Sequence, residues 1–254
     1  MWHPKGVIFD KPAQLPILFD TGRCLRMYHS VRIDGRSHIR FFDMDEDLNV
    51  VSNSQEALCP GDSFDRAGVM PSCIDGDIMY YTGWHLRQDV PYGHAIGAAQ
   101  IRDDGKLERL GAVLEGDQIM NSPYVENGRM LYCNGTGWIG NYPTYNISLA
   151  IKEGDVWRPT GEVQITHNKP DEAISRVTRD PSDGSLYYSW RTKDTQYRLA
   201  SQHQDVIVER SNWDSDMQCY PFICIINSVK YMFYNGNNYG ATGIGVAEWK
   251  QDIA

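Results

Sequence analysis

The sequence contains no apolar run approaching 18 residues, so it offers no candidate membrane-spanning helix. Its first residues, Met1-Trp2-His3-Pro4-Lys5, lack the apolar stretch of a secretory signal. Positive charge is scarce: 24 Lys and Arg stand against 33 Asp and Glu, for a net charge of −9. That argues against a nucleic-acid partner, which would be met by a basic stripe. The six cysteines, at 24, 59, 73, 133, 219 and 224, form no CxxC pair, and the seven histidines never pair at metal spacing. No metal site and no organic cofactor are therefore expected. Four of the cysteines lie in β-like apolar runs as small buried hydrophobes, and the expected compartment is reducing, hence cytoplasmic. GxSxG, P-loop and HExxH motifs are missing too. No long segment shows helical periodicity.

What is present is an aromatic-rich chain that repeats itself. Fifteen Tyr and seven Trp are spread over 254 residues, many beside Gly or Asn; such rings suit sugar faces and also fill β cores. One strand pattern recurs five times: Met27-Tyr-His-Ser30, Met79-Tyr-Tyr-Thr82, Leu131-Tyr-Cys-Asn134, Leu186-Tyr-Tyr-Ser189 and Met232-Phe-Tyr-Asn235. A second piece follows each, beginning at Ile39, Ile96, Ile147, Leu199 and Ile244. A third precedes each: Gln14-Leu-Pro-Ile17, Val69-Met-Pro-Ser72, Asn121-Ser-Pro-Tyr124, Ile174-Ser-Arg-Val177 and Cys219-Tyr-Pro-Phe222. In this alignment Arg176 takes the place of the proline. Asp75-Gly76, Asn127-Gly128 and Asp183-Gly184 fall where hairpin turns join first and second strands. Regular four-stranded modules of about 50 residues predict an all-β, five-bladed β-propeller in a single domain spanning residues 1–254. The last module stops after its third strand. An orphan strand at residues 6–10 is expected to join blade five and close the structure, leaving 1–5 and 250–254 as tails.

In such a fold, ligand groups belong near the start of each first strand and on the loops beside it. Carboxylates recur there: Asp10, Asp65, Asp117, Glu172 and Asp216. Asp10 and Asp117 read as turn or strand-end residues. Asp65, Glu172 and Asp216 are the candidate catalytic acids, because glycoside chemistry takes one protonated carboxyl and one ionised one. Candidate substrate-binding residues are Gln14, His29, Arg32, Trp84, Asn121, Trp138, Arg176, Arg191 and Asn235. Arg176 either orients a carboxylate or binds an anionic group. His85, Tyr92, Asn237 and Tyr239 sit on the same long loops.

Several of these runs resemble bacterial proteins related to glycoside hydrolase families 32, 43 and 68. They are Tyr80-Tyr-Thr-Gly-Trp84, Ser122-Pro-Tyr-Val125 with Gly135-Thr-Gly-Trp138, Glu172-Ala-Ile-Ser-Arg176 with Tyr188-Ser-Trp-Arg191, and Tyr239-Gly-Ala-Thr-Gly-Ile-Gly-Val-Ala247. The resemblance spans essentially the whole chain and implies glycan or nucleotide-sugar chemistry, of the kind found in surface-polysaccharide gene sets. It also implies an Asp from blade one, an Asp near blade three and a Glu from blade four. Here Gln14 stands at the blade-one position, and blade three offers Asn121 and Ser122. Three functions stay open. One is a glycosidase with Glu172 as acid and Asp216 or Asp65 as its partner. Another is a glycan binder that does not cleave. The third is a transferase holding an activated sugar's phosphates through Arg32, Arg176 and Arg191.

Overall fold

A computed structural model describes residues 1–140, 142–166, 172–202 and 206–250. The chain is all-β, apart from one helical turn. Strand β1 (Trp2–Phe9) opens it. Module one follows as β2 (Gln14–Asp20), β3 (Leu25–Ile33), β4 (Arg36–Met44) and β5 (Gln55–Leu58). Module two holds β6 (Gly68–Asp75), β7 (Ile78–His85), β8 (Gly93–Ile101) and β9 (Leu107–Leu114). Module three holds β10 (Met120–Glu126), β11 (Arg129–Ile139), β12 (Tyr142–Glu153) and β13 (Val156–Ile165). Module four has three described strands rather than the expected four: β14 (Glu172–Arg179), β15 (Leu186–Thr192) and β16 (Arg198–Ser201). Module five holds β17 (Cys219–Ile226), β18 (Val229–Asn235), the turn α1 (Asn237–Gly240) and β19 (Ile244–Trp249).

Within each module the strands pair antiparallel in chain order. Tight turns allow this: Asn127 and Gly128, with φ of 51° and 71°, supply the two left-handed residues of a hairpin. Among the described residues, one parallel backbone bridge, Ser37 to Gly68, links modules one and two. The first strands neighbour one another in a cycle: β2 lies against β6, β6 against β10, β10 against β14, β14 against β17, and β17 against β2. Among the described residues, apolar cores lie between each pair of successive modules. Between modules one and two, Tyr28, Ile39 and Phe41 pack on Val69, Met79 and Tyr81. Between modules five and one, Phe233 and Val246 pack on Met27 and Phe42. Strand alternation explains how neighbouring residues such as Met27 and Tyr28 serve two different cores.

Strand β1 pairs with β19 from Trp2↔Trp249 to Phe9↔Ile244, so module five is completed by the chain's beginning. The pairing is longer than expected. Residues 2–5 are strand, not tail, and Trp2 is buried against Tyr187 and Trp249. Residues 251–254, expected to be a tail, lie outside the described residues.

Strand register corrects the repeat alignment in three modules. Equivalent pairs across first and second strands are Gln14↔Ser30, Met70↔Thr82, Asn121↔Cys133, Ser175↔Ser189 and Cys219↔Asn235. Module three therefore aligns on Met130, which is fully buried like Met27, Met79 and Met232, and not on Leu131. The residue after each first-strand position is left-handed in four modules: Leu15, Ser122, Arg176 and Tyr220, with φ between 48° and 59°. Pro71 takes that place in module two, because proline is locked at negative φ. Arg176 is thus the counterpart of Leu15, and Val177 stands where the other modules have proline.

The same bulge ties modules together. Its amide donates to a side chain of a neighbouring module: Leu15 N to Asn235 Oδ1 (2.7 Å), Ser122 N to Thr82 Oγ1 (2.9 Å), Arg176 N to Cys133 Sγ (3.3 Å) and Tyr220 N to Ser189 Oγ (2.7 Å). Pro71 has no N–H to give. Ser30 Oγ, the matching acceptor in module one, is buried and makes no hydrogen bond among the described residues.

Candidate functional site

A cavity of about 650 Å³ opens where the five first strands meet. Two recurring strand positions contribute to it. The first-strand position before the bulge supplies Gln14, Met70, Asn121 and Ser175. The other position lies two residues before the buried Ile or Leu of each third strand. It supplies Ser37, His94, Tyr145 and Tyr197, from modules one to four. Residues two apart share a strand face, so the recurring third-strand apolar positions already marked these four in the sequence. The rim adds Arg32, Trp84, Tyr92, Tyr142, Arg191 and Tyr239.

The polar groups interlock. Asn121 Nδ2 donates to His94 Nδ1 at 2.8 Å, which places the imidazole proton on Nε2. Burial pushes the His94 imidazole down to about 3, so it is neutral. Trp84 lies across His94 at 4.2 Å and stacks on Tyr92 at 4.7 Å. Burial raises the Tyr92 phenol to about 12, while Arg191 and Arg32 pull it the other way. The Arg191 guanidinium sits over the rings of Tyr142 and Tyr197, at 4.7 and 5.0 Å.

Among the residues expected from sequence, Gln14, Arg32, Trp84, Asn121 and Arg191 line the cavity together. The three candidate acids do not. Asp65 is buried and accepts from Tyr81 Oη (3.1 Å) and Arg109 Nε (2.7 Å), bracing the approach to β6. Asp214 does the same in module five, accepting from Tyr234 Oη (3.1 Å) and Gln218 Nε2 (2.7 Å). Asp216 is exposed, and its backbone N–H donates to Asn237 Oδ1. Glu172 is buried opposite Thr192 but stands three residues before Ser175, an odd offset that turns it to the other strand face.

Four expected binding residues also lie outside the lining. His29 is buried between Phe9 and Phe42, its Nε2 3.1 Å from Ser54 Oγ. Asn235 is spent on Leu15 N, Ala13 O and Gly243 O. Trp138 meets Tyr92 edge-on from behind. Arg176 is fully buried beneath the cavity, donating to Pro71 O (3.3 Å) and Pro16 O (3.2 Å), so it clamps modules one and two to module four. Burial pulls its guanidinium down to about 10.

These placements make Asp65 a structural group. Asp65→Asn is expected to lower unfolding free energy by about 2–4 kcal/mol, since it weakens a buried ion pair and the Tyr81 hydrogen bond. Urea denaturation measures this; an unchanged midpoint would contradict it.

No protein-family model matches the chain. It is 27% identical to Uncharacterized protein Rv1502 of Mycobacterium tuberculosis (strain ATCC 25618 / H37Rv), covering 92% of this chain and 91% of that one. Among solved structures, it superposes on a BT0996 RGII complex with a TM-score of 0.74 at 14% identity, covering 98% of this chain and 92% of that one. A thermostable family-43 glycoside hydrolase gives a TM-score of 0.67 at 9% identity, covering 96% and 91%. The chain shares the fold of glycoside hydrolases. At these identities the likeness concerns the backbone, and the side chains of the cavity must be read for themselves.

Proposed function

We propose that the chain is a five-bladed β-propeller whose cavity binds a carbohydrate without hydrolysing it through a carboxylate pair. The cycle of first strands, the apolar cores between modules and the pairing of β1 with β19 support the propeller. Aromatic faces beside amides and hydroxyls support a sugar ligand: rings cover the apolar faces of a pyranose, while Gln14, Asn121 and Ser175 meet its hydroxyls.

One observation favours binding over hydrolysis. Glycoside hydrolysis by the common route takes two carboxyls flanking the bond. Among the described residues, no side chain lining the cavity is a carboxylate. The positions where the resemblance implies acids in blades one and three carry Gln14 and Asn121, neither of which can serve as a carboxylate, and Glu172, the blade-four acid, lies outside the lining. The neutral His94 lacks a carboxylate partner as well.

A glycan array followed by chromatography of the retained glycans tests this. The wild type is expected to retain a glycan and release it uncut. Trp84→Ala should weaken binding about tenfold, and Asp216→Asn should leave it within about twofold. Release of reducing sugar by the wild type, lost in Glu172→Gln or Asp216→Asn, would restore the hydrolytic reading.

A further inference from the structure

The charge in the cavity runs against that of the protein. The chain carries −9 overall, yet the described lining holds two arginines and no acid. Arg32, at the end of β3, is exposed and makes no ion pair or hydrogen bond among the described residues. Arg191, near the end of β15, is half-buried. It is held by the faces of Tyr142 and Tyr197, an arrangement that orients a guanidinium without using its N–H donors. Both cations act on one phenol, Tyr92, so their fields overlap inside the cavity although they come from modules one and four. Six arginines elsewhere among the described residues have acids to meet, among them Arg26 with Asp43, Arg87 with Asp89, Arg109 with Asp65, and Arg158 with Glu153. Beside them, Ser30 Oγ lines the same cavity with its hydrogen-bonding capacity unspent.

We propose that the cavity takes an anionic sugar, whose carboxylate or phosphate is held by Arg32 and Arg191 while its ring lies on the aromatic wall. This rests on the carbohydrate reading above and names its ligand class. A neutral sugar would leave both guanidinium groups without an anionic acceptor. A cationic one would be repelled. A carboxylate or phosphate accepts bidentate hydrogen bonds from the planar fork of an arginine.

The test is an array carrying matched neutral, uronic-acid-containing and phosphorylated glycans, read with wild-type protein, Arg32→Gln and Arg191→Gln. Thermal unfolding of both variants checks that they are folded. The wild type is expected to favour anionic members over their neutral counterparts by about 10- to 100-fold. That preference should shrink as salt rises and collapse toward parity in both variants. Preference for uronic acids identifies a carboxylate ligand, and preference for phosphorylated members identifies a phosphate; either supports the inference. Equal retention of neutral glycans, unchanged in the two variants, overturns the anionic ligand and leaves the carbohydrate reading standing. Retention of no glycan of any kind overturns both.

Discussion

Removal of residues 1–10 is expected to abolish cooperative folding. Strand β1 is the outer strand of module five, although the chain makes it first. Without it, β19 presents an open row of backbone donors and acceptors, which invites aggregation. The apolar loss is also large. Trp2 is 4% exposed and meets Trp249 edge-on at 5.2 Å and Tyr187 at 6.2 Å. Lys230 Nζ adds cation–π contacts to Trp2 and Trp249, at 5.7 and 4.6 Å. Phe9 stacks on Phe42 at 4.4 Å, joining module five to module one. A fully buried side chain of this size contributes about 1.5–3 kcal/mol, so buried Trp2 with half-buried Ile8 and Phe9 is a large share of the net stability of an ordinary domain, about 5–15 kcal/mol. Urea unfolding followed by tryptophan fluorescence, together with size-exclusion chromatography, measures the effect. A truncated chain that stays monomeric and keeps the wild-type midpoint would show that β1 does not close the fold.

Acid is expected to destabilise the protein steeply between pH 6.5 and 4. Burial pushes the His29 imidazole down to about 4 and the His94 imidazole to about 3, from 6.5 in the unfolded chain. In that window the unfolded state binds more protons than the folded one, so stability falls as pH falls. It is fully present above the unfolded value. Arg40 adds its repulsion at His29, and His85 does so at His94. Among the described residues, neither imidazole meets a carboxylate that would offset its charge. Between pH 7 and 4.5 each site is worth about 2 kcal/mol, and the two together about 4–5. His29→Gln and His94→Gln should each flatten the slope of unfolding free energy against pH, whatever they do to stability at pH 7. A slope unaltered in both variants would place the acid sensitivity elsewhere.

Much of the fold was legible because β physics writes itself into sequence with a short period. The buried apolar pairs of second strands, the Gly turns and the unpaired strand at residues 6–10 announced the repeat and the pairing of the chain's first strand with its last module. The register was harder. Pro16, Pro123 and Pro221 each follow a left-handed residue, whereas Pro71 replaces one, so an alignment on prolines slides module two by one residue. Module four slides likewise, since Val177 and not Arg176 stands in the proline's place. One residue is enough to turn a side chain to the other face.

The candidate acids lie apart from the cavity. Chosen for lying near the starts of first strands, they fall on turns, braces and back faces: Asp65 on Tyr81 and Arg109, Glu172 three places before Ser175. Strand parity selects the cavity instead. Gln14 and Asn121 obeyed it and were found. His94, Tyr145 and Tyr197 obeyed it too and were missed, because third strands looked purely apolar; Ser175 was missed because its first strand was aligned one residue off.

Among the described residues, no acid lines the cavity proposed to take the sugar. The most direct measurement is a crystal structure of the protein soaked with a glycan it retains. The expected result is an intact glycan lying against Trp84 and the row Gln14, Asn121 and Ser175, with no protein carboxylate within hydrogen-bond reach of a glycosidic oxygen, about 3.2 Å. A cleaved glycan with the carboxyl of Glu172 or Asp216 against its anomeric carbon would contradict it.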